Sequence, residues 1–137
     1  VFLRNDMARS DFGDSVEGKD VVIIDDMISS GESMLDVAKQ IKERKAKRVF
    51  ICTTYGLFTD GLKKFDEYYE KGWIDKVITT NLNYRDPELL TRPYYVEANM
   101  SKYLASIMDI INHDLSVEKV RSSNEKIMEL MEKVSKR

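Results

Sequence analysis

Two adjacent carboxylates, Asp25 and Asp26, separate an apolar run, Val21-Val22-Ile23-Ile24, from a string of small residues, Ser29-Ser30-Gly31-Glu32-Ser33. Carboxylates accept hydrogen bonds from a vicinal diol and repel a phosphate. A helix start does the reverse, because its first amides are unpaired and carry partial positive charge. Gly31 lets the backbone come close to a ligand, and the serines add hydroxyl donors. Acids for sugar hydroxyls beside amides for a phosphate describe a ribose 5-phosphate site. Its candidate residues are Asp25, Asp26, Ser29, Ser30, Gly31, Glu32 and Ser33. Plainer readings stay open at this point. The acids can simply end a strand and cap a turn, and the serines can simply cap a helix.

These residues need a strand before them and a helix after them. Val21 to Ile24 predicts a strand buried on both faces, ending at the acids. Met34, Leu35, Val37, Ala38 and Ile41 recur at helical spacing, so a helix runs from about Gly31 to Arg44. The candidate residues then sit at the carboxyl end of a strand, where open parallel sheets bind ligands.

Further strands are expected at Arg48 to Thr53, Val77 to Thr79 and Tyr94 to Val96. Asp60 is expected to cap a helix that carries Leu62, Phe65 and Tyr69 on one face and ends at Gly72. Asp86-Pro87 signals a turn leading into a short helical turn over Pro87 to Leu90. Asn99 or Ser101 should cap an amphipathic helix with Met100, Tyr103, Leu104, Ile107, Met108 and Ile111 on its apolar side. That helix is expected to cover one sheet face, with His113 capping its end. The fold class is therefore α/β, a parallel sheet of about four strands with flanking helices. It occupies residues 18–116, after an irregular lead-in over 1–17 and before a helical tail over 117–137. The tail stripe of Ile127, Leu130, Met131 and Val134 is expected to be buried against another surface.

The stretch Asp25-Asp26-Met27-Ile28-Ser29-Ser30-Gly31-Glu32-Ser33 resembles the ribose-phosphate loop of the type I phosphoribosyltransferase fold. Within that fold the chain is most similar to the ribose-phosphate pyrophosphokinase family. Lys47 to Thr54, Gly56 to Gly61, Ile74 to Asn81 and Tyr94 to Ala98 resemble successive strands and loops of that family. The similarity runs from about Val16 to Val120. The family usually carries an acid, threonine, two glycines and threonine where this chain has Ser29, Ser30, Gly31, Glu32 and Ser33. Ser29 thus replaces an acid and Glu32 a glycine.

The resemblance implies the carboxy-terminal portion of an enzyme that makes phosphoribosyl pyrophosphate from ATP and ribose 5-phosphate for nucleotide biosynthesis. It implies ATP and Mg2+ in the intact enzyme, with ligands mostly outside this chain, and no catalytic or metal residue within it. The chain alone is expected to be inactive. A cytoplasmic homo-oligomer that binds ribose 5-phosphate or phosphoribosyl pyrophosphate follows from the same resemblance.

Composition agrees with this class. The chain has 137 residues, 42% of them hydrophobic and 34% charged, enough for one core and a wet surface. A net charge of -2 does not indicate a nucleic-acid-binding face, and no apolar run approaches a membrane span. The single cysteine, Cys52, reads as a small core residue. Other readings are a salvage phosphoribosyltransferase, a non-catalytic relative that assembles with true synthetases, and a response-regulator receiver. The receiver needs a phosphoacceptor aspartate at the next strand end, where this chain has Thr53-Thr54-Tyr55.

Overall fold

The computed structural model describes residues 2–4, 15–114, 116 and 124–135. By contacts the chain divides into two compact units, Val1–Asn99 and Met100–Arg137.

The first unit is built on five parallel strands lying side by side in chain order. They are β1 (Phe2–Arg4), β2 (Asp20–Ile28), β3 (Arg48–Gly56), β4 (Lys76–Thr80) and β5 (Tyr95–Ala98). Helices α1 (Glu32–Glu43), α2 (Lys63–Glu70) and α3 (Pro87–Leu90) lie in the connections between them. The α/β class, the parallel sheet and the flanking helices are as the sequence predicts. β1 is an addition where an irregular lead-in is expected. It pairs Phe2 with Val22 and Arg4 with Ile24, taking up the open edge of β2. Three residues are too few to show a period, so only pairing reveals the strand.

β2 does not stop at Ile24. It runs through both acids to Ile28, pairing Asp25 with Thr53, Met27 with Tyr55 and Ile28 with Gly56. The ladder continues because β3 is equally long and satisfies the backbone, whatever the side chains carry. The adjacent charges suggested a strand end; the partner strand overrides them.

α1 buries Met34, Leu35, Val37, Ala38 and Ile41, the residues its spacing predicts. α2 buries Phe65. Its N-cap is Leu62, without a side-chain bond, so Asp60 is not the cap. Gly72 follows the C-cap with φ 70°, as a C′ glycine should. Asp86 caps α3 by accepting from the Glu88 amide at 2.8 Å, with Pro87 opening the helix.

The sheet has two unlike faces. Val21, Ile23, Val49, Ile51 and Val77 are fully buried against the helices. Their alternates Val22, Phe50, Cys52 and Ile78 are only half-buried, and Ile24 and Val96 are 42% and 40% exposed. Strands in chain order joined by right-handed crossovers set every crossover helix on one side. The expectation that Val21 to Ile24 is buried on both faces is therefore corrected: within the described residues one face is covered. Cys52 lies on the less covered face rather than in the core, and partial burial pushes its thiol up.

In the second unit α4 spans Ser101–Asn112 and α5 spans Asn124–Ser135. α4 starts at Met100, which has no side-chain cap bond, so neither Asn99 nor Ser101 caps it. His113 is the C-cap, with its Nδ1 2.9 Å from the Asp109 carbonyl oxygen. No residue of α4 is buried, and Met108 and Ile111 are 70% and 65% exposed. The α5 stripe is also exposed at Ile127, Met131 and Val134. The side chain of Leu130 lies outside the described residues.

Candidate functional site

The candidate residues are two of the last four positions of β2, the three-residue link over 29–31, and the first two residues of α1. Along an extended strand successive side chains point to opposite faces. Asp25 falls on the helix-covered side with Val21 and Ile23 and is half-buried. Its Oδ1 accepts from the Asp26 amide at 2.9 Å. Asp26 is exposed. The two acids are therefore not twins: one is drawn toward the fold and one faces solvent.

Asp25 opens a polar row across the carboxyl end of the sheet. The register sets it beside Thr53, then Thr79, then Glu97. Thr53 and Thr79 are buried, and Glu97 pairs with Arg85 at 2.7 Å. Reasoning from sequence missed this row. The signal was a threonine near the ends of β3 and β4, but only the register makes Thr53 and Thr79 neighbours.

The link itself is fixed by the fold. Gly31 is the N-cap of α1 with φ 84°, a left-handed conformation that other residues adopt only at a cost. A Cβ there would overlap Cζ of Phe65 and lie 2.7 Å from its Cε2. Phe65 is fully buried and meets Phe58 edge to face at 5.1 Å. The backbone is tied as well. Leu57 donates to the Ile28 carbonyl at 2.8 Å, and Thr59 donates to the Ser29 carbonyl at 3.0 Å. The segment after β3 thus forms a wall behind the link. It also lines a cavity of about 200 Å³ with Gly56, Phe58, Tyr84 and Asp86.

Gly31, the N-cap of α1, has no side chain with which to cap the helix. Ser30 Oγ lies 3.4 Å from the Glu32 amide, long for a hydrogen bond. Ser29, Glu32 and Ser33 are exposed at this mouth. The cap position itself is a glycine, and of the serines Ser30 reaches the first helical amide from one residue before it. What remains is a glycine-opened helix start ringed by hydroxyls, with an exposed carboxylate on the strand before it. Such a start favours an anion.

One carboxylate stands against that field. Glu32, in the first turn of α1, pairs with Lys64 of α2. Its hydrogen bond from the Lys64 ammonium, more than bulk charge, holds its carboxyl below the usual range. Lys64 was not singled out from sequence. It lies 32 residues from Glu32, and no local pattern joins the two.

The phosphoribosyl transferase domain family matches residues 4–89. The ribose-phosphate pyrophosphokinase of Vibrio cholerae is 32% identical over 102 residues, covering 74% of this chain and 32% of that protein. The protein of the same name from Thermosipho africanus is 46% identical over 46 residues, covering 34% of this chain and 15% of its own length. The crystal structure of phosphoribosylpyrophosphate synthetase from Mycobacterium smegmatis shares the fold, with a TM-score of 0.66 and 24% identity. That match covers 74% of this chain and 33% of the other. The chain spans about a third of the length of the first curated relatives it matches.

Proposed function

The chain belongs to the phosphoribosyl transferase domain family, and we propose that it is the ribose 5-phosphate-binding portion of a ribose-phosphate diphosphokinase. In the intact enzyme of this reading, the anomeric hydroxyl oxygen of ribose 5-phosphate bonds to the β-phosphorus of ATP. The bond from that phosphorus to the oxygen shared with the α-phosphate breaks, and AMP leaves. Phosphoribosyl pyrophosphate is the product. This chain's part is to hold the sugar phosphate. The backbone amides over 29–33 and the serine hydroxyls anchor the 5-phosphate, and Asp26, with Asp25 behind it, accepts from the ribose hydroxyls. Anchoring the remote phosphate positions the reacting hydroxyl and removes its freedom before the chemistry begins.

The observation that carries this reading is the helix start at Gly31: left-handed, with a glycine at the cap position and Ser29, Ser30 and Ser33 beside it. The names of the relatives favour the diphosphokinase over a salvage phosphoribosyltransferase that would use the same loop. ATP and Mg2+ belong to the reading through those relatives. Among the described residues no group of three or more His, Cys, Asp or Glu side chains converges to hold a metal ion. A cytoplasmic homo-oligomer remains part of the proposal. No helix among the described residues is long and apolar enough to cross a membrane.

Calorimetry on this chain with ribose 5-phosphate and with inorganic phosphate tests the site. A charge-assisted hydrogen bond contributes roughly 1.5–3 kcal/mol. Asp26→Asn should therefore weaken ribose 5-phosphate about tenfold to a hundredfold and leave inorganic phosphate nearly unchanged. Equal sugar-phosphate affinities for both proteins would remove the ribose clamp. The chain alone should form no AMP from ATP, magnesium and ribose 5-phosphate. Sustained AMP release above a control without sugar would show that the catalytic groups are already present.

A further inference from the structure

A carboxylate in the first turn of α1 conflicts with phosphate binding at that turn. Glu32 sits one residue past the N-cap, where its charge both repels a phosphate and occupies the helix's positive end itself. The structure resolves the conflict with α2. Two consecutive residues of α2 engage the link. Phe65 lies against Gly31, and the ammonium of Lys64 bonds the Glu32 carboxylate across the groove between the helices.

We propose that Lys64 is a positioning residue of the phosphate loop, holding Glu32 as a neutral pair so that the helix start stays open to a phosphate. This rests on the ribose 5-phosphate reading above and adds the element that makes it compatible with Glu32. The pair is exposed, at 47% for Lys64 and 61% for Glu32. Exposed pairs add little to stability, so loss of Lys64 should leave folding nearly unchanged. Its effect falls on the charge a ligand meets.

The 137-residue chain is titrated with inorganic phosphate and with ribose 5-phosphate as wild type, Lys64→Met, Lys64→Arg and the double variant Lys64→Met/Glu32→Gln. Lys64→Met keeps the aliphatic stem and releases the carboxylate. One unpaired charge within a few ångströms of a dianion should weaken both ligands by roughly tenfold at low salt, and by less as salt rises. Lys64→Arg should retain affinity, and the double variant should regain it. Melting temperatures should coincide, which excludes a merely structural effect. If Lys64→Met binds both ligands like wild type, or if the double variant stays as weak as the single, the inference is overturned while the site stands. If the wild type binds neither ligand, the ribose 5-phosphate reading falls, and this inference with it.

Discussion

α2 reaches in two directions from residues only two apart, and the two contacts differ in kind. Lys64 turns back to Glu32 in an exposed one-to-one pair. Asp66 turns forward into a cluster. Its Oδ1 accepts from Arg92 Nε at 2.8 Å and from the Tyr94 hydroxyl at 2.7 Å, and its Oδ2 accepts from Arg92 Nη2 at 3.0 Å. Arg92 also donates to Glu88 at 2.6 Å. Tyr94 is 1% exposed, and Asp66 supplies the hydrogen bond its buried hydroxyl needs. The forward cluster has each strong group matched, so it joins α2 to α3 and the start of β5 and offers little to a ligand. The backward pair lies beside an open helix start, so a small change in charge is felt there. Saturated polar groups hold a fold together, and partly open ones next to a glycine-opened helix start are where binding is tuned.

The contrast can be broken at several points. The largest effect is expected at Gly31, where the two ends of the comparison share Phe65. Gly31→Ala forces a left-handed backbone on a residue with a Cβ and drives that Cβ into the Phe65 ring. The conformational cost of about 1–2 kcal/mol adds to an overpacking cost of about 1–3 kcal/mol. Urea unfolding should show a loss of about 2–5 kcal/mol, with phosphate binding lost alongside. Wild-type stability in this variant would mean that Phe65 does not fix the link.

Tyr94→Phe should act on the other side alone. It removes one hydrogen bond to Asp66 and keeps the ring, so stability should fall by about 0.5–1.5 kcal/mol. Phosphate affinity should not move, and a change there would join two regions that the structure keeps apart. The smallest effect is in pH. Burial first, and the Asp66 carboxylate second, push the Tyr94 hydroxyl well above its ordinary value of 10.0. A raised pKa in the folded state means the unfolded chain loses this proton first. The contribution is complete below about pH 10 and declines as pH rises beyond it. The alkaline fall in melting temperature should be shallower in Tyr94→Phe than in wild type.

Much of the fold was readable before any coordinates. The α1 stripe, the Gly72 stop and the Asp86-Pro87 start are patterns within a few residues, and each appears as predicted. The errors also have a physical source. Asp25 and Asp26 were read as a strand end because charges disfavour a strand, yet β3 satisfies their backbone through Ile28. Asp60, Asn99 and Ser101 have the right chemistry for caps, but the N-cap positions fall one to two residues away, at Leu62 and Met100. Val21 to Ile24 showed which residues are apolar, not how many faces the helices would cover.

What the sequence determined by itself is the strand–link–helix unit and the kinds of groups at its mouth: serines, a glycine and two acids in a row. Periodicity and turn chemistry act over one or two turns of chain, so they survive in the linear order. Only the tertiary structure decided which acid faces outward, that Phe65 closes over Gly31, that Thr53 and Thr79 extend the row from Asp25, and that Glu32 meets Lys64. Those pairings join residues more than two dozen positions apart. Their geometry is set by strand register and helix packing, and neither is written in any local stretch of residues.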